Sequence, residues 1–169
     1  MFSKYLGIFV VTTLILFPSF VFSEHAQVQN KQLSLDVSNA NIRQFLPAAK
    51  STAAYFFLAN HSNSERVLKS ASISKIGRVE MHEHVHHNGM MRMQQVSEVI
   101  ISAHDNVAFK PGGYHLMAFE PTQVLKKGEQ LTLTLYFANG EQLQSPIKVI
   151  SLQDEIKQNG HDHSQHNHH

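Results

Sequence analysis

Leu131-Thr132-Leu133-Thr134-Leu135-Tyr136-Phe137 alternates apolar with polar side chains, and Asn139-Gly140 follows close behind. A period of two sends Leu131, Leu133, Leu135 and Phe137 to one face of an extended strand. Asn-Gly predicts a two-residue hairpin, with Leu143 to Leu152 as the returning strand. Working back toward the amino terminus, Lys75 to Val85, Arg66 to Ser72, and the apolar run Ala53 to Ala59 closed by Asn60 read as further strands. Leu33, Leu35 and Val37 alternate in the same way. Asn41 to Lys50 is expected to form one helical turn, limited by Pro47. Short strands at this spacing predict an all-β antiparallel sandwich or Greek-key barrel.

The ends differ in composition from this block. Lys4 precedes an almost unbroken apolar run from Tyr5 to Phe22, with Pro18 near its end and Ser23 after it. Residues 1–23 therefore read as an export signal. A retained anchor facing the periplasm is the alternative, since the run is about long enough to span a bilayer. Residues 24–31 are a polar lead-in, 32–153 the folded domain and 154–169 a His-rich tail. The 169 residues carry 14 Lys+Arg against 13 Asp+Glu, so loss of Lys4 with the signal leaves a neutral chain. A neutral chain with no basic stripe gives no reason to expect nucleic acid. Membrane contact is expected only through the signal segment, and the protein is expected to be a monomer.

There is no cysteine. Disulfides, thiolate metal sites and a lipid-bearing cysteine are thereby excluded within this sequence. The soft donors left are thioethers. Met81, Met90, Met91, Met93 and Met117 fall within residues 81–117, and so do His82, His84, His86, His87, His104 and His115. Methionine sulfur with imidazole favours Cu(I) over Zn(II) and greatly over Mg(II) or Ca(II). In an oxidising compartment such a set offers no thiol to be oxidised.

On a strand, residues i and i+2 share a face. His115 and Met117 then point together, with Leu116 and Ala118 turned to the core. Met91 and Met93 share a face if their stretch is extended, as do Glu80, His82 and His84. Met81 and Met90 read as core fillers, the usual role of methionine on a strand. His61 and His104 read as exposed turn residues. Catalysis is not expected: no nucleophile elbow and no His-Glu-x-x-His occur. Blue-copper electron transfer would need a cysteine ligand.

Three stretches carry a family resemblance: Gly77-Arg78-Val79-Glu80-Met81-His82-Glu83-His84, Asn88-Gly89-Met90-Met91-Arg92-Met93, and Lys110-Pro111-Gly112-Gly113-Tyr114-His115-Leu116-Met117. Ten residues separate His82 from Met93, twenty-one separate Met93 from His115, and Met117 follows at i+2. This His-x10-Met-x21-His-x-Met spacing resembles the periplasmic copper chaperone family PCuAC over roughly residues 32–152. The resemblance implies a cupredoxin-like β-sandwich that binds Cu(I) through His82, Met93, His115 and Met117. It also implies a role in cytochrome c oxidase assembly. Copper would pass to the CuA domain of that oxidase, to a related copper oxidase, or to another copper chaperone.

The extra imidazoles of His84, His86 and His87 leave the first histidine ligand open. They are accessory candidates, with Met91 and the tail residues His161, His163, His166, His168 and His169. The interrupted histidine run of the tail is expected to hold Cu(II) or Zn(II) loosely. The competing function is therefore a periplasmic storage or resistance protein buffering metal through its tail. A β-sandwich interaction module without metal is the third reading.

Overall fold

The computed structural model describes residues 34–87 and 89–160. Ten strands and one helix follow in order. The strands are β1 Leu35–Arg43, β2 Ser51–Asn60, β3 Arg66–Ile73, β4 Ile76–His87, β5 Met90–Gln95, β6 Val99–Ile101, β7 Asn106–Phe109, β8 Tyr114–Pro121, β9 Gln130–Phe137 and β10 Gln142–Ile150. The helix, α1, spans Leu152–Gly160. The strands form one sheet in the order β5-β4-β8-β7-β2-β1-β10-β9-β3-β6, with β8 also paired to β2.

This sheet must curl. β3 and β4 stand near its opposite ends, yet only Ser74 and Lys75 separate them in sequence. Three peptide steps reach at most about 11 Å. The ends of the sheet therefore come together and enclose the apolar face, as in a cupredoxin-like sandwich. The enclosed core holds Leu35, Ile42, Phe56, Leu58, Leu68, Phe109, Leu116, Leu133, Leu135, Ile147 and Val149, all at most 2% exposed. Phe56 and Phe109 stack at 4.2 Å between ring centres and tie β2 to β7.

Several expectations change in detail. The β9–β10 connection is a four-residue loop, Ala138 to Glu141: Gln142 pairs with Tyr136, and Gly140 takes φ 82°. Gly140 thus supplies the left-handed residue of a longer hairpin loop rather than half of a two-residue turn. Two pairings are parallel, β1 with β10 and β7 with β8. The expected helical turn after Asn41 is absent: β1 runs through Arg43, after a bulge between Ser38 and Asn41. Beyond that bulge β1 keeps its pairing with β2 at Asn41 and Ile42 and adds the parallel pairing with β10 on its other edge.

The segment read as the start of a polar tail is helical through Gly160. Ser151 and Asp154 cap α1 reciprocally, with Ser151 Oγ accepting from Asp154 N at 3.2 Å and the Asp154 carboxylate accepting from Ser151 N at 3.1 Å. Arg43 forms an ion pair with the buried Glu155 and fixes the helix to β1. Among the described residues no helix is long and apolar enough to cross a membrane. The expected signal at 1–23 and the lead-in lie outside the described residues.

Candidate metal centre

Register decides which donors meet. β4 lies between β5 and β8. His82 stands opposite His115 and Glu80 opposite Met117 across β4–β8. His84 stands opposite Met93 and His86 opposite Met91 across β4–β5. Residues directly opposite on antiparallel strands share a face with Cβ atoms about 4.5–5.5 Å apart. One face of this three-stranded region therefore carries Glu80, His82, His84, His86, Met91, Met93, His115 and Met117. The alternate residues Met81, Leu116 and Ala118 enter the core. The strand-parity expectation holds, and the four motif residues lie on one face.

The turn before β8 aims His115. Gly113 N donates to Lys110 O at 3.1 Å, with Pro111 second and Gly112 third at φ 80°. These are the features of a type II turn, whose third position requires a positive φ. The turn presents the Gly113 carbonyl, which accepts from His115 Nδ1 at 3.0 Å. A carbonyl can only accept, so Nδ1 carries the proton and Nε2 of the neutral ring carries the lone pair. That Nε2 lies 3.1 Å from Met93 Sδ. Two acceptor atoms thus face each other with no proton to share. Donors held by one metal at bonds of about 2.0 Å and 2.3 Å would stand roughly 3.1–3.8 Å apart. The contact suits a soft cation placed between them.

His82 is oriented from the other side. Its Nε2 lies 2.9 Å from Glu80 Oε2, and Glu80 is itself paired with Arg78. The carboxylate fixes the proton on Nε2 and leaves Nδ1 as the donor, the usual outer partner of a ligating histidine. His82 Nδ1 and His84 Nδ1 are both buried without a hydrogen-bond partner. A buried lone pair without a partner is costly in the absence of a ligand. The ring of His84 stacks on His115 at 4.8 Å and that of His82 lies at 5.9 Å. Both therefore remain beside His115 as first-histidine candidates, while His86 stands one pair further out. The side chain of His87 and all of residues 161–169 lie outside the described residues.

Burial pushes the pKa of His115 down; the Gly113 hydrogen bond opposes this, and His84, His82 and Arg43 add to it. Burial also lowers that of His82. Both rings are held in the neutral form that binds metal.

The methionines divide by exposure. Met81 is 4% exposed and fills the core, as expected. Met90 is 54% exposed, which corrects its reading as core. It lies on β5, an edge strand exposed along its whole length. Met91 and Met93 are 54% and 50% exposed, so packing does not explain them. Met117 is part-buried and lines a cavity of about 250 Å³ with Arg43, Ala53 and Leu152. Among the described residues no three His, Asp or Glu side chains converge as a metal cluster. Met93 Sδ beside His115 Nε2 puts thioether sulfur within reach of a centre on this face, and sulfur with imidazole favours copper. His104 is an exposed turn residue at φ 58°, with Nε2 2.7 Å from Asn63 Oδ1, as expected.

Sequence reasoning did not assign the roles of Glu80 and the Gly113 carbonyl. Each had a signal: Glu80 sits at i−2 from His82, and Lys110-Pro111-Gly112-Gly113 spells the turn.

The sequence matches the LpqE-like family, described as putative lipoprotein LpqE-like, over residues 35–149. An uncharacterized protein of Rickettsia prowazekii is 34% identical over 101 residues, 59% of this chain and 56% of its own length. The chain thus spans little more than half of that relative. Among solved structures, apo-DR1885 from Deinococcus radiodurans superposes with TM-score 0.55 at 25% identity, covering 85% of this chain and 97% of that one. Its CuI form gives TM-score 0.57 at 24% identity, covering 77% and 86%. The copper-bound PCuAC domain from PmoF2 gives 0.58 at 14% identity, covering 70% and 93%. The expected PCuAC resemblance and cupredoxin-like fold are borne out.

Proposed function

The chain belongs to the LpqE-like family of putative lipoproteins, and from that premise we propose that it is an exported copper chaperone carrying one Cu(I) as cargo. The observation that carries this reading is the His115 Nε2–Met93 Sδ contact at 3.1 Å, on a face that also presents His82, His84 and Met117. His82, Met93, His115 and Met117 are the proposed ligands, with His84 the alternative to His82. All are neutral donors, so the bound ion keeps its charge and can pass to a thiolate-bearing acceptor that binds it more tightly. The copper-bound states of the DR1885 and PmoF2 structures support copper as the metal.

The role is carriage, without catalysis. The acceptor we infer is the CuA domain of cytochrome c oxidase or a related copper protein. The family description supports export and attachment to a membrane surface. These 169 residues contain no cysteine for a lipid, so the apolar stretch 5–22 is the segment proposed to direct export. The test is to mix the Cu(I)-loaded protein with an apo CuA domain and follow the visible spectrum. Growth of the purple CuA absorption is expected. Retention of copper by this protein against an excess of the acceptor would refute delivery to CuA.

A further inference from the structure

Resting on that reading, we propose a second Cu(I) site formed by the His86–Met91 pair, through which copper enters and leaves the inner centre. The register aligns three pairs along β4. His82 faces His115, His84 faces Met93, and His86 faces Met91. Successive pairs lie about 6.8 Å apart along the strand. Exposure rises along the line: His115 is 3% exposed, His84 is part-buried, and His86 is exposed with Met91 at 54%. Nitrogen and sulfur donors thus continue from a buried histidine to the open end of the β4–β5 hairpin. His84, whose Nδ1 is buried without a partner, stands between the inner and outer pairs.

Exposed thioethers on an edge strand contribute nothing to the core. A Met–His pair directly opposed across two strands has the Cβ separation that lets both heads reach one soft ion. The transfer is ligand exchange. Bonds from Cu(I) to His82, His115, Met117 and Met93 are given up in turn, with His84 as the intermediate donor, as bonds to His86 and Met91 form. All these donors are neutral, so no proton or electron moves and the ion stays Cu(I).

The full chain, labelled with ¹³C at the methionine methyl groups, is titrated with Cu(I) to two equivalents and followed by NMR. The first equivalent is expected to shift Met93 and Met117. The second is expected to shift Met91 and to leave Met81 and Met90 unmoved, since these lie on the opposite parity. His86→Gln is expected to abolish the Met91 shift, to spare the first-equivalent shifts, and to slow Cu(I) release to a chelator about tenfold. If Met91 stays unmoved at two equivalents, or if His86→Gln changes neither shift nor rate, the outer site is refuted and the chaperone reading stands. If Met93 and Met117 also stay unmoved, both fall.

Discussion

His115 joins three kinds of information in one side chain. Its backbone sits in a strand, its Nδ1 is held by a turn carbonyl, and its Nε2 faces a sulfur. Met93→Leu keeps the size and removes the thioether, so Cu(I) affinity should fall with the thermal midpoint of the apo protein nearly unchanged; competition with a chromophoric chelator measures the first and calorimetry the second. Glu80→Ala removes the carboxylate that orients His82. Loss of such an outer partner costs about 10–100-fold in metal affinity, and the same competition assay reads it. Protonation gives a third test. His82 and His115 have lowered pKa values in the fold, against 6.5 when unperturbed. Below that value the unfolded chain takes up protons first, so the folded state loses stability as pH falls. Above it both states are neutral at these sites and the contribution is complete. The apo midpoint should therefore drop as pH falls below 6.5, and a His82→Asn, His115→Gln double variant should show a flatter profile.

At the scale of elements, two devices hold the site. The Lys110–Gly113 turn requires a positive φ at Gly112, and a Cβ there meets nothing within 4 Å. Gly112→Ala should therefore cost only conformational energy, about 1–2 kcal/mol. Because the turn places the Gly113 carbonyl, Cu(I) affinity should fall with it. Denaturant unfolding and the chelator assay separate the two effects. The helix α1 is held differently. Its large apolar residues Leu152 and Ile156 are exposed, so capping by Ser151 and the Arg43–Glu155 pair dock it. That explains why its sequence reads as polar tail: no apolar stripe marks it, and only Ser151-x-x-Asp154 does. The parity of Glu80, His82 and His84 was equally plain from alternation, as was that of His115 and Met117. Which of these histidines faces a sulfur was not, because strand pairing is a contact between residues far apart in sequence.

On the scale of the whole molecule, copper should act as a clasp. The proposed ligands come from β4, β5 and β8, at one end of the strand order. A ligand that binds only the folded state stabilises it by about 4 kcal/mol at a thousandfold excess over Kd. For a chain of this size that corresponds to a rise of about 8–16 °C in thermal midpoint. Scanning calorimetry with and without Cu(I) should show it, and Met93→Leu should shrink it.

The donors and their parity follow from the order of the amino acids alone. The absence of cysteine and the grouping of Met and His within 81–117 specified a soft, neutral set, and the period of two specified which of them share a face. Both are local properties, legible from composition and from neighbours two residues apart. The tertiary structure decided the rest. Only the β4–β5 and β4–β8 registers bring Met93 to His115. Only the position of β5 at the edge exposes Met90, Met91 and Met93 while Met81 is buried. Those outcomes depend on hydrogen bonds between distant segments and on which strand is left without a neighbour, and no local pattern encodes either.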